Sequence, residues 1–323
     1  MSPFHVTNGF RRFADNQATP FSCMTRYIMD GLAEFRFKPV LLEQYLTGNF
    51  AGILPFTTEP RVLLLNMKML HFDAVIFDMD GVVTKTAAVH SQAWKKMFDE
   101  YLRSREEKYQ EPFREFTHAG DYLPFVDGRP RYKGVEAFLN SRGIHLPFGR
   151  PEDDPGGETV CGLGNRKNEY FNRVLRESGV EVFDSSITLI RELIAAGVKI
   201  GLATSSNNCG PVLRRAGIMN LFETRVDGFV SAQLELKGKP EPDIFLMACG
   251  NLGAVPARAA IVEDAITGVQ AGSRGGFGLT VGVAREDNAR ELKAHGADLV
   301  VSDLSEISLQ QIDRWFASKT VRR

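Results

Sequence analysis

Ala74-Val75-Ile76-Phe77-Asp78-Met79-Asp80-Gly81 sets an apolar, β-branched run directly before two aspartates and a glycine. Such a run reads as a strand buried on both faces, and the aspartates then fall in the loop at its carboxyl end. The same arrangement returns twice. Val198-Lys199-Ile200-Gly201-Leu202-Ala203 leads into Thr204-Ser205-Ser206-Asn207, and Ala259-Ala260-Ile261-Val262 leads into Glu263-Asp264. Between them stands Lys239-Pro240-Glu241-Pro242-Asp243. Open α/β sheets bind ligands at the carboxyl ends of their strands. Carboxylates, a hydroxyl cluster and a lysine meeting there suit Mg²⁺-assisted phosphoryl transfer through a covalent aspartyl-phosphate.

Further strand-like runs at residues 279–283 and 298–301 alternate with helical patterns at 187–196, 265–273 and 307–317, giving an α/β class with a doubly wound, parallel-sheet (Rossmann-like) core. No buried strand is predicted between Gly81 and Val198. A helix over residues 90–102, a charged stretch over 103–108 and a largely helical remainder with turns near Gly128, Gly143 and Gly156 fill that interval. The organisation expected is a core of residues 71–86 and 184–323, with a mainly α-helical cap domain, residues 87–183, inserted into it. Residues 1–70 lack helical or strand periodicity and read as a poorly packed N-terminal extension, or as an over-long start with Met67 or Met69 as the natural initiator.

Lys and Arg number 39 against 40 Asp and Glu, a formal net charge of -1, so the whole chain exerts no pull toward nucleic acid or an anionic membrane. The four cysteines show no metal-binding or redox spacing, and no apolar run reaches membrane length. A cytoplasmic, monomeric protein acting on a small molecule is expected.

Asp-x-Asp-Gly also occurs in calcium loops, but Val82 stands where such a loop requires an oxygen ligand. Asp78 then suits a nucleophile, and Asp80, two residues on, an acid/base. Thr204 and Ser205 fit a phosphate cradle at a helix start and equally a plain helix cap. Lys239 fits a countercharge or a surface loop lysine. Glu263 and Asp264 fit Mg²⁺ ligands or helix-start acids.

The ordered set of four segments resembles the haloacid dehalogenase superfamily over residues 72–302. That resemblance implies Asp78 as nucleophile, Asp80 as acid/base, Thr204 and Lys239 as phosphoryl-binding groups, and Asp264 as the acid completing Mg²⁺ coordination with the main-chain carbonyl of Asp80, supported by Glu263. Thr86, His90 and Ala93-Trp94 are spaced as in the β-phosphoglucomutase-like subfamily, where histidine and threonine sit at the hinge between core and cap. His90 also reads as a solvent-facing residue in a first helical turn. Gly128-Arg129-Pro130-Arg131 is similar to that subfamily's phosphate clamp, which implies Arg131, and Arg166-Lys167-Asn168 to a cap segment contacting the sugar phosphate. Ser205, Ser206 and Asn208 join the implied phosphate-binding set, and Trp94 the substrate-binding one. Lys85 and Asp127 depart from the usual aspartate and lysine. The implied activity is a Mg²⁺-dependent phosphohexomutase interconverting β-D-glucose 1-phosphate and D-glucose 6-phosphate through a bisphosphate, with a sugar-phosphate phosphatase next and a non-catalytic sugar-phosphate-binding protein last.

Overall fold

A computed structural model of the protein describes residues 70–320. The expectations for residues 1–69 lie outside the described residues. Six parallel strands form one sheet: β1 (Ala74–Phe77), β2 (Lys199–Ala203), β3 (Thr224–Val226), β4 (Ala259–Glu263), β5 (Leu279–Val283) and β6 (Leu299–Val301), in the order β3-β2-β1-β4-β5-β6. Every residue of β1, β4 and β5 is buried, as apolar strands between helical layers require. The chain moves outward from β1 through β2 to β3, then returns to lay β4 on the other flank of β1. That reversal is the switch point where a crevice opens.

Register places the reactive loops at one level. Phe77 pairs with Leu202 on one side and with Val262 on the other. Asp78, the residue after Phe77, therefore emerges beside Ala203-Thr204 and beside Glu263. The Asp78 amide donates to Val262 O at 2.9 Å, and that of Thr204 to Val226 O at 2.9 Å.

Between β1 and β2 the chain forms helices α1 (Thr86–Tyr109), α2 (Arg131–Ser141) and α3 (Val160–Ser178), with a π-helical turn at His118–Tyr122. α4 (Asp184–Ala195) then returns to the sheet. These helices bury an aromatic cluster of their own. Trp94 stacks on Phe98 at 5.4 Å, and Phe98 on Phe116 at 5.0 Å, with Phe138 and Leu163 completing the packing. After β2 come α5 (Cys209–Arg215), α6 (Gly228–Gln233), α7 (Asp243–Asn251), α8 (Ile266–Arg274), α9 (Ala289–Ala294) and α10 (Leu309–Thr320).

Two local expectations are corrected. The charged stretch 103–108 continues α1, because its arginines, glutamates and lysine are good helix formers and Arg105 pairs with Glu111; the helix ends at Gln110 in a left-handed conformation. β3 was not expected, since a three-residue edge strand carries too short an apolar run to announce itself.

Candidate active site

Asp78 and Lys239 are buried together. Lys239 Nζ lies 2.5 Å from Asp78 Oδ1 and also donates to Glu263 Oε1. Glu263 is fully buried, and its other oxygen accepts the Ala265 amide at 2.7 Å. Burial opposes the charge of Lys239, but Asp78 and Glu263 hold it above the ordinary lysine range as a cation. One ammonium does not neutralise the carboxylates around it. Burial first, then Glu263 and Asp80, pushes Asp78 up despite Lys239, while burial followed by Glu263 and Asp127 pushes Asp264 up.

Asp264 closes against the loop after β1. Gly81 has φ +87°, and a Cβ there would lie 1.8 Å from Asp264 Oδ2, so only glycine admits this approach. Among the described residues no three acidic, histidine or cysteine side chains close into a ready-made cage. Two buried carboxylates beside a short loop instead make a partial set of hard oxygen donors with excess negative charge. That chemistry fits Mg²⁺, which takes few protein ligands and keeps the rest of its octahedron for water and phosphate.

Asp80 turns toward α1. Its Oδ1 accepts from Thr86 Oγ1 and lies 3.3 Å from His90 Nε2, near enough for an ion contact but not aligned as a hydrogen bond; Thr204 Oγ1 stands 3.5 Å from Oδ2. Burial works against ionisation of Asp80, and the charge of His90, the Thr86 hydroxyl and Lys167 overcome it, holding the carboxyl below its ordinary range. The second nitrogen of His90, Nδ1, meets Lys167 Nζ at 2.5 Å, and its ring stacks on Phe171 at 4.0 Å. Burial and then Lys167 lower His90, while burial and then Arg131 lower Lys167 well below the lysine range. His90 thus faces the cavity interior, not solvent.

A second polar group lies across the cavity. Arg131 Nη2 donates to Asn168 Oδ1 at 2.9 Å, and Asn208 Nδ2 donates to the same oxygen at 2.8 Å, so α2, α3 and the loop after β2 meet there. Burial lowers Arg131. Trp94 lies under Lys167, its ring centroid 5.0 Å from Nζ. In the loop after β2, the Ser206 amide donates to Thr204 Oγ1 at 3.1 Å and the Asn208 amide to Ser206 Oγ at 3.2 Å. The Ser205 hydroxyl turns away to Gly128 O.

The cavity lining brings together most of the residues singled out in the sequence; Asn168 stands behind it on Arg131. Tyr122, Asp127 and Arg129 also line it and were not among the candidates. Tyr122 carried no motif, and Asp127 was visible only as a departure from a familiar lysine. Arg129 lies in the same Gly-Arg-Pro-Arg run as Arg131, and its Nε is buried without a hydrogen-bond partner. Asp127 is pushed up to about 6, by burial and by Glu263.

The haloacid dehalogenase-like hydrolase family model matches residues 72–276. A β-phosphoglucomutase of Mycobacterium bovis is 45% identical over 237 residues, covering 72% of this chain and 90% of its own. A β-phosphoglucomutase of Bacillus subtilis is 34% identical over 246 residues, 75% of this chain and 95% of its own. Among solved structures, a β-phosphoglucomutase from Clostridium difficile is similar with a TM-score of 0.61 at 25% identity, covering 77% of this chain and 99% of that one.

Proposed function

The chain belongs to the haloacid dehalogenase-like hydrolase family, in its β-phosphoglucomutase-like branch, and from that premise we propose that it is a Mg²⁺-dependent phosphohexomutase interconverting β-D-glucose 1-phosphate and D-glucose 6-phosphate. The observation that carries this reading is the second polar clamp. A hydrolase needs one phosphate site and a path for water, whereas a mutase handles a bisphosphate and needs a grip on the phosphate that is not reacting. Arg131, held by Asn168, which Asn208 holds in turn, supplies a planar, charged fork in the cavity that Asp78 also lines.

In this reading residues 87–183 are the cap and residues 71–86 and 184–323 the core, and the enzyme works in the cytoplasm as a monomer on a free sugar phosphate. Among the described residues no helix is long and apolar enough to cross a membrane. Asp78 attacks phosphorus to form the aspartyl-phosphate, while Lys239 and the Thr204 hydroxyl hold the phosphoryl oxygens. Asp80 protonates the departing sugar oxygen and later takes the proton of the incoming hydroxyl. Thr86 and His90 fix its carboxyl for both tasks. Asp78, Asp264 and the Asp80 main-chain carbonyl would hold Mg²⁺, and Glu263 would orient Lys239 beside them. When bound, the ion supplies positive charge against the phosphoryl oxygens and the carboxylates. Phospho-Asp78 gives its group to the free hydroxyl of the substrate, and the bisphosphate turns over to return the other group to Asp78.

The test is incubation with β-glucose 1-phosphate, Mg²⁺ and a bisphosphate primer, following glucose 6-phosphate and free phosphate separately. Glucose 6-phosphate should greatly exceed free phosphate. Free phosphate appearing as fast as glucose 6-phosphate would assign a sugar-phosphate phosphatase instead.

A further inference from the structure

Residues 127–130, just before α2, lie in a socket formed by two core loops and the first turn of α8. Ser205 Oγ donates to Gly128 O at 2.9 Å, and Thr267 Oγ1 donates to Asp127 O at 3.3 Å. Gly238 faces Pro130 so closely that a Cβ on it would stand 2.4 Å from Pro130 Cγ. Gly128 itself, at φ +69°, has no room for a side chain: a Cβ would meet Thr267 Oγ1 at 2.3 Å and Ala265 Cβ at 3.1 Å. The three contacts come from the segments that carry the reacting groups. Ser205 follows Thr204, Gly238 precedes Lys239, and Thr267 stands three residues beyond Asp264.

Both hydrogen bonds end on main-chain carbonyls of the inserted segment, so they form with no substrate to bridge the two sides. The Thr267 hydroxyl has no part in the chemistry derived above.

We propose that Ser205 and Thr267 are positioning residues, two hydroxyls that latch the cap loop onto the phosphoryl-site loops and thereby set whether a sugar hydroxyl or water receives the phosphoryl group. This rests on the mutase reading for the identity of the sugar. In productive transfer the P–O bond to Asp78 breaks, a P–O bond to the sugar oxygen forms, and the hydroxyl proton passes to Asp80. With water as acceptor the same bonds change, and inorganic phosphate leaves. Asp127, Gly128 and Arg129 of this loop line the same cavity as Asp78 and Asp80, so the loop's residence time on the core would govern how much water arrives while phospho-Asp78 waits. One neutral hydrogen bond weights the latched state by roughly three- to ten-fold.

The measurement is the decay of phospho-Asp78 to free phosphate in the full chain, loaded with acetyl phosphate and Mg²⁺ and then freed of donor. Thr267→Ala should decay roughly three- to ten-fold faster than wild type with an unchanged melting temperature, while Thr267→Ser, which keeps the hydroxyl, should decay at the wild-type rate. Gly128→Ala wedges the loop outward and should decay faster still. Adding Thr267→Ala to Gly128→Ala removes the 2.3 Å clash and should slow that decay again. Equal decay in wild type, Thr267→Ala and Gly128→Ala would overturn the latch. Isomerisation of β-glucose 1-phosphate by wild type is followed in parallel; its absence would overturn the sugar assignment, while the decay comparison still judges the latch.

Discussion

At the core end of the cavity the polar groups stand on strand ends, and at the cap end they stand on helix faces. Asp78, Thr204 and Glu263 are held within a residue or two of β1, β2 and β4, whose register is fixed by main-chain pairing. Arg131, Lys167 and Asn168 reach in from α2 and α3 through long side chains that contact one another and His90. The core end holds several carboxylates around one lysine; at the cap end burial first, and then neighbouring positive charge, lowers Lys167 and His90 beside Arg131. A negative floor suits a cation and an attacking carboxylate, and the Arg131 guanidinium at the roof suits a phosphate dianion. In the proposed mechanism the rigid end would serve bond making, where small displacements cost most, and the side-chain end would serve gripping, where the ligand would turn over.

Substitutions at the core end should therefore strike chemistry outright. Asp78→Asn is expected to abolish turnover and phosphoenzyme alike, because a neutral amide does not attack phosphorus. Rapid quench with a labelled donor would reveal the phosphoenzyme, and near-wild-type amounts would sink the covalent mechanism. Asp80→Asn should slow both transfers by at least ~10²-fold while leaving Asp78 free to be labelled by a good leaving group. Unchanged isomerisation would remove Asp80 from proton transfer and place that duty elsewhere.

Substitutions at the cap end should instead separate two activities. Arg131→Ala removes the fork that donates to Asn168, and loss of a buried, charge-assisted phosphate contact costs roughly 2–5 kcal/mol. That loss should fall on isomerisation. Hydrolysis of acetyl phosphate, which has no second phosphate to grip, should stay near wild type. Equal losses in both assays would mean that the roof acts on the chemistry itself and that the contrast between the ends is false.

The same contrast explains what the sequence disclosed. β1, β2, β4 and β5 were legible because buried parallel strands write uninterrupted apolar runs, half-buried β6 because its Leu299-Val300-Val301 run is wholly apolar and β-branched at two positions, and Asp78, Thr204 and Glu263 followed from standing at strand ends. β3 was not legible at three residues. The charged end of α1 misled because its residues suit solvent equally as loop or helix. Tyr122, Asp127 and Arg129 were missed for another reason. Asp127 and Arg129 lie in a loop bonded to the core, a contact between segments far apart in the chain that no local period records, and Tyr122 ends a short π-helical turn that carries no motif. His90 shows the reverse case, where a residue that could have faced solvent is fixed inside by Phe171 and Lys167.

Asp127 offers the finest probe of how closely the two ends feel each other. Its carboxyl, contributed by the inserted segment, is pushed up to about 6 by burial and by Glu263 on the core, from an ordinary value of 3.8. A carboxyl raised by folding favours the neutral form, so its contribution is fully present below the unfolded value and is lost as pH rises through about 6. At pH 7.5 the fold therefore carries a half-buried carboxylate in the field of Glu263, and at pH 4 a neutral acid. Asp127→Asn removes that charge while keeping the main-chain carbonyl that Thr267 grips. In chelator, without a divalent cation to screen the cluster, the variant should melt several degrees higher than wild type at pH 7.5, at about 2–4 °C for each kcal/mol in a chain of this size. Near pH 4 the two should melt together. A gain of equal size at both pH values would show that Asp127 does not sense the core carboxylates, and that the two ends, though in contact, are electrostatically independent.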